Sequence, residues 1–147
     1  MKKILFSAVG STDPIAGQHD GAILHIARTY DLDDIYLYYS KEMYELEQKD
    51  NRYVYCLNQL KERTGKTFNV HKIIKQDLAE VHIFDYFLTE FRNQIDSIIS
   101  EEKCELYLNV SSGTPAMKSA LQVLGTIYSK PITTIQVVTP SKKYNEH

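Results

Sequence analysis

Asn109-Val110-Ser111-Ser112-Gly113-Thr114-Pro115-Ala116-Met117 is the stretch that decides the fold. Before it, Glu105 to Val110 is an apolar, partly alternating run of the kind that forms a buried strand; after it, Ala116, Ala120, Leu121, Leu124 and Ile127 recur at helical spacing. The nine residues therefore read as a strand-to-helix turn. Pro115 suits the first helical position, and Ser112 and Thr114 are candidate caps. Gly113 lets the backbone approach a ligand, so hydroxyls, backbone N–H groups and the positive end of a helix dipole would converge on one anion-sized spot. Ser-Gly-Thr-Pro is equally a plain helix start with no ligand, and the turn alone does not separate the two readings.

A second turn of similar chemistry lies near the N-terminus. Ile4 to Val9 is a nearly continuous apolar run, as in a strand covered on both faces, and Gly10-Ser11-Thr12-Asp13-Pro14 follows it. A polar loop then leads to Asp20, a candidate N-cap for a helix carrying Ile23, Leu24, Ile26, Ala27 and Tyr30. Further on, Ile35 to Ser40 is a strand, Lys41 to about Thr64 one long or broken helix stopped by Gly65, and Phe68 to Ile74 a third strand. Asp77 or Glu80 opens a helix whose stripe of Ile83, Phe84, Phe87, Phe91, Ile95, Ile98 and Ile99 is core. The strand before Ser111, the helix to about Ser129 and a fifth strand, Thr133 to Thr139, complete the pattern.

Strands alternating with helices predict an α/β fold: a Rossmann-like parallel sheet with helices on both faces, spanning residues 1–140, with 141–147 as a polar tail or the start of a linker. Right-handed crossovers favour the strand order 3-2-1-4-5. Strands one and four then meet at the topological switch point, and their turns face each other across the carboxyl-end crevice, where open α/β sheets bind ligands. Gly10, Ser11, Thr12, Asp13, Ser111, Ser112, Gly113 and Thr114 are expected there, with Met117 on the helix just behind.

Composition narrows the chemistry. The chain has 147 residues, 43% of them apolar and 24% charged, enough for one domain with a full core. Seventeen basic against nineteen acidic residues give a net charge of −2, so a general grip on long nucleic acid is not expected and phosphate must be recognised locally. Cys56 and Cys104 lack Cys-x-x-Cys spacing and read as free thiols in a reducing compartment. No run approaches the ~18 apolar residues of a membrane span or the core of a signal peptide. A cytoplasmic location without membrane attachment is the expectation, and no cofactor or metal is called for.

Hydroxyls and N–H groups beside helix N-termini suit phosphate, and Asp13 is positioned to accept from ribose hydroxyls or adenine amino groups. A nucleotide fits that combination. The Rossmann Gly-x-Gly-x-x-Gly, the P-loop and the Gly-x-Ser-x-Gly elbow are all absent. His25 and Arg28 on the first helix are further ligand candidates, although a helix His is more often packed. His71 and His82 stand apart from any carboxylate cluster in the pattern, Asp31, Asp33 and Asp34 suggest a solvated loop, and Tyr36, Tyr38 and Tyr39 are strand residues before they are base-stacking platforms.

Taken together, Gly10 to Pro14 after the first strand, Asp20-Gly21 with Leu24-His25-Ile26 and Arg28 on the next helix, and Asn109 to Met117 resemble the CARF (CRISPR-associated Rossmann fold) domain of the type III-A CRISPR ancillary ribonucleases. The resemblance covers essentially the whole chain in element order. It implies a homodimer whose two crevices form one pocket for cyclic oligoadenylate, cyclic hexa-adenylate in the most similar members. Ser11, Thr12, Asp13, Ser112, Gly113 and Thr114 are the site residues it carries over, with His25 and Arg28 less firmly matched. Family members add a HEPN ribonuclease domain with an Arg-x4–6-His signature; no such spacing occurs in this chain.

Some domains of this kind also cut their ligand without a metal, a ribose 2′-hydroxyl attacking the adjoining phosphodiester. Thr114 would stabilise the phosphoryl charge and Asp13 or Thr12 would orient the ribose. With no general base in view, turnover is expected to be slow. Two other readings stay open: a sensor that holds the ring without cutting it, and an unrelated Rossmann-like enzyme acting on a mononucleotide.

Overall fold

The structure is a computed structural model describing residues 1–128 and 132–138. The expected tail at 141–147, and the ends of the last helix and strand placed at Ser129 and Thr139, lie outside the described residues. In chain order the elements are β1 (Lys2–Ala8), a two-stranded ribbon of β2 (Ile15–Ala16) and β3 (His19–Asp20), α1 (Ala22–Thr29), β4 (Asp34–Tyr39), α2 (Lys41–Asp50), α3 (Arg52–Thr64), β5 (Asn69–Ile74), α4 (Phe84–Glu101), β6 (Cys104–Asn109), α5 (Pro115–Ile127) and β7 (Ile132–Ile135).

The main sheet has the order β5-β4-β1-β6-β7, every pairing parallel, which is the 3-2-1-4-5 arrangement once the small ribbon is set aside. β1 is central because its residues are apolar on both faces. Leu5 and Val9 pack with α1 and α3 residues such as Ile26, Ala27 and Leu57, while Ile4, Phe6 and Ala8 pack with Phe87, Phe91, Ile95 and Leu121 of α4 and α5. The period-two alternation of the strand thus feeds two cores, one on each side. Phe91 is fully buried, with ring centroids 5.4 Å from Phe6 and 5.0 Å from Tyr38 in edge contacts. No helix among the described residues is long and apolar enough to cross a membrane.

Several element boundaries differ from the sequence reading, each for a local reason. Asp20 does not cap α1; Gly21 occupies the N-cap and Asp20 pairs with Arg28 at 2.9 Å. A Cβ at Gly21 would lie 2.4 Å from the Thr12 carbonyl, so the turn is too tight for another residue there. β7 stops at Ile135 because β6 ends at Asn109 and offers no further ladder, and the Val137 N–H turns to the Ser111 hydroxyl at 2.7 Å. α4 begins at Phe84, not at Asp77 or Glu80, because the preceding segment is tied elsewhere: Leu78 donates to Lys75 at 3.1 Å and its carbonyl accepts from the Lys41 N–H at 2.9 Å.

The long helix is broken at Asn51, which adopts a left-handed conformation (φ 54°). Glu47 holds the break. Its carboxylate is 3% exposed, accepts from the Tyr39 hydroxyl, and takes the Tyr53 and Val54 N–H groups at 3.1 and 3.5 Å, in the first turn of α3. Lys72 stands 3.8 Å away. Burial, reinforced by Glu47, raises the Tyr39 pKa, so the phenol remains a donor. Glu47→Ala is expected to strand these buried donors and cost about 2–4 kcal/mol, read as a lower urea midpoint with unchanged slope.

Candidate functional site

Two glycines bring the turns after β1 and β6 together. A Cβ built on Gly10 would sit 2.6 Å from the Gly113 nitrogen and 3.3 Å from its Cα, so the two backbones touch with no room for a side chain. Gly113 has φ +103°, a region L side chains rarely adopt, and a Cβ there would press on Met117 and Ala8 at 2.9 and 3.2 Å. The side-by-side placement expected of the turns is therefore observed.

Behind the glycines runs a buried polar chain. Asn109 is fully buried; its amide donates to Ser7 at 3.0 Å and Ser112 at 2.9 Å, and its carbonyl accepts the Ser111 N–H at 2.8 Å. Asp13, 5% exposed, accepts the Gly10 N–H at 3.0 Å and the Ile23 N–H at 3.2 Å. Burial pushes the Asp13 pKa up; hydrogen bonds from Ser112, Ile23 and Gly10 partly oppose that shift. Ser7, Asn109, Ser112 and Asp13 thus link β1, β6 and both turns from within, where an unmet polar group is costly.

This network corrects the sequence assignments. Asp13 holds the first turn and the start of α1, and both its oxygens already accept backbone N–H groups, so it does not present a carboxylate to a ribose. Ser112 is 1% exposed and belongs to the same interior chain. Ser111 ties the second turn to the segment after β7 through Val137. His25 and Arg28 are exposed on α1, and Thr12 is exposed at the tip of the first turn; none of the three lines the crevice formed within one chain.

That crevice has a volume of about 380 Å³. One wall is Gly10, Ser11, Gly113, Thr114, Pro115 and Met117, from the two predicted turns. Thr114 caps α5, its oxygen accepting the Met117 N–H at 3.3 Å while its hydroxyl donates to the Val81 carbonyl. The N-terminus of α5 consequently opens into the crevice, with no acidic residue in its first turn. Ser11 is exposed at the same rim. This wall is suited to an anion such as phosphate.

The rest of the lining is Val9, Ser40, Glu42, Met43, Val81 and His82. Sequence reading placed none of these six residues at the site. Nothing in their spacing links residues 40–43 to 81–82; the Lys41–Leu78 and Thr114–Val81 hydrogen bonds bring them here. His71, by contrast, lies elsewhere in the fold: it meets the Asp34 carboxylate at 2.8 Å and stacks on Tyr36.

Comparison with known proteins follows the same lines. A family model described as the Cas_Csm6 CARF domain matches residues 70–147, just over half of the chain. The chain is 39% identical over 143 residues to the CRISPR system endoribonuclease Csm6 of Streptococcus thermophilus, covering 97% of the chain and 32% of that relative. It is 36% identical over 140 residues to Csm6 of Mycobacterium tuberculosis, covering 95% and 32%. Among solved structures, Enterococcus italicus Csm6 bound to cyclic hexa-2′-fluoro-hexa-dAMP superposes with a TM-score of 0.83 at 28% identity, over 95% of the chain and 34% of that protein. The chain spans about a third of the length of the relatives it matches.

Gly10→Ala is expected to force the two turns apart and cost about 2–3 kcal/mol or more, as overpacking against rigid backbone does. Ser11→Ala, at an exposed position, is expected to stay within ~0.5 kcal/mol in the same urea titration.

Proposed function

The chain belongs to the Csm6 CARF domain family, and from that premise we propose that it is the sensor part of a type III CRISPR ribonuclease, binding cyclic oligoadenylate in the crevice between the β1 and β6 turns. The observation that carries this reading is the backbone contact of Gly10 with Gly113, which sets Ser11, Thr114 and the N-terminus of α5 around one anion-sized space. The likeness to a Csm6 bound to a cyclic hexanucleotide analogue supports it.

A single crevice of about 380 Å³ is too small for a ring of several nucleotides, so the ligand calls for two. A homodimer joining its crevices across a two-fold axis presents the same groups to each half of a ring with even rotational symmetry. Thr12, exposed beside Ser11, is then available to the ring from the rim. Cyclic hexa-adenylate is the proposed ligand. Calorimetric titration with cyclic tetra- and hexa-adenylate is expected to give tighter binding of the six-membered ring and one ring per two chains. A monomer that binds single nucleotides and neither ring would instead favour a mononucleotide enzyme.

The crevice also suits slow cleavage of the ring. The 2′-oxygen attacks the adjoining phosphorus, the bond to the 5′-oxygen breaks, and the 2′-hydroxyl proton passes to solvent while the leaving oxygen is protonated from it, leaving a 2′,3′-cyclic phosphate. No metal is required. Thr114 and the backbone beside Gly113 stabilise the phosphoryl oxygens, Thr12 orients the ribose, and Asp13 contributes by holding the Gly10 turn. The dimer incubated with cyclic hexa-adenylate and EDTA is expected to yield linear products, and Thr114→Ala to retain affinity within about tenfold while losing cleavage. Recovery of intact ring from the unsubstituted protein would leave a binding module without catalysis.

A further inference from the structure

The wall contributed by α2 carries chemistry different from that of α5. Serine at an N-cap ordinarily accepts an N–H from the first turn of its helix, but Ser40 makes no such bond at the start of α2. Its side chain is 95% buried, lines the crevice, and its hydroxyl has no hydrogen-bond partner among the described residues. Two residues on, exposed Glu42 lines both this crevice and an adjoining depression of about 270 Å³, and its carboxylate also has no hydrogen bond or ion pair among the described residues. Met43, 8% exposed, lines the same wall. Other buried or half-buried carboxylates are engaged, Glu47 by Tyr39 and Glu90 by Tyr38.

A carboxylate in a phosphate-binding crevice repels the phosphate it faces, so this wall must face something else. It combines an acceptor, Glu42, with donors beside it, the Ser40 hydroxyl and the Glu42 and Met43 N–H groups in the first turn of α2, next to the apolar surface of Met43. Adenine presents the complement: an amino donor at N6 adjacent to ring-nitrogen acceptors, on a flat apolar face. Guanine and hypoxanthine place an acceptor at position 6, which would meet the carboxylate acceptor to acceptor. Resting on the cyclic oligoadenylate reading above, we infer that Ser40, Glu42 and Met43 form an adenine-reading subsite, in which Glu42 accepts from the N6 amino group and thereby sets base specificity, while the α5 wall takes the phosphate.

The test is calorimetric titration of the full chain with cyclic hexa-adenylate and with the corresponding inosine ring, in which the N6 amino group is replaced by oxygen. The unsubstituted chain is expected to prefer the adenine ring by at least about tenfold, the scale of one well-made base contact. Glu42→Ala is expected to bring the two rings within about threefold of each other, mainly by weakening the adenine ring, whereas Ser11→Ala on the phosphate side weakens both alike. Because Glu42 is exposed, an unchanged melting temperature establishes that the variant is folded. Discrimination that survives Glu42→Ala in full, or an unsubstituted chain that binds both rings equally, overturns the subsite while leaving the messenger reading intact. Failure of the unsubstituted chain to bind either ring overturns the messenger reading, and the subsite with it.

Discussion

The backbone of Gly10 lies directly against that of Gly113, and the rest of the site depends on that contact. At the topological switch point two neighbouring parallel strands send their chains to opposite faces, so their turns ordinarily diverge. Here Asp13 pulls the first turn back onto the start of α1 through the Gly10 and Ile23 N–H groups. Asn109 gathers Ser7, Ser111 and Ser112 around the second. These polar residues are buried because they satisfy one another, and each turn is thereby held in the conformation that lets the other approach. A ligand pocket framed largely by main chain needs such bracing, since main chain has no side-chain packing of its own to fix its position.

Much of this was legible in the sequence because it is local or periodic. The apolar runs from Ile4 to Val9 and Glu105 to Val110 announce buried parallel strands; Phe87, Phe91, Ile95 and Ile98 announce the buried face of α4; Thr114 and Pro115 announce the start of α5. Handedness then leaves one favoured strand order, and the order brings the two turns together. The same reasoning failed where a residue's role depends on long-range partners. Asp13, Ser112 and Asn109 are polar residues in turn-like stretches, and composition alone cannot tell a hydroxyl that faces a ligand from one that faces an asparagine. Asp20 had the composition of a cap, yet the helix starts a residue later because only glycine fits against the Thr12 carbonyl. The α2 lining was invisible for the opposite reason: nothing about Ser40 or Glu42 is unusual until the fold sets them around the same crevice as Gly113 and Thr114.

The two walls differ in electrostatic character in a way that suits a ligand with a charged backbone and neutral bases. α5 presents a helix N-terminus whose first turn contains no acid and whose cap is a neutral hydroxyl. α2 presents a helix N-terminus already supplied with a carboxylate in its first turn. The helix dipole is thus left free at α5 and offset at α2, so the α5 end of the crevice is the more favourable one for an anion.

Thr114 has one hydroxyl proton, and that proton is given to the Val81 carbonyl, clasping the strap of residues 75–83 onto the head of α5. An anion arriving at α5 competes for the same proton. The strap runs straight into α4, whose inner stripe packs against β1, so the Thr114 hydroxyl ties the head of α5 to the chain that leads into α4. One threonine side chain therefore both caps α5 and fastens a second segment of the crevice lining to it.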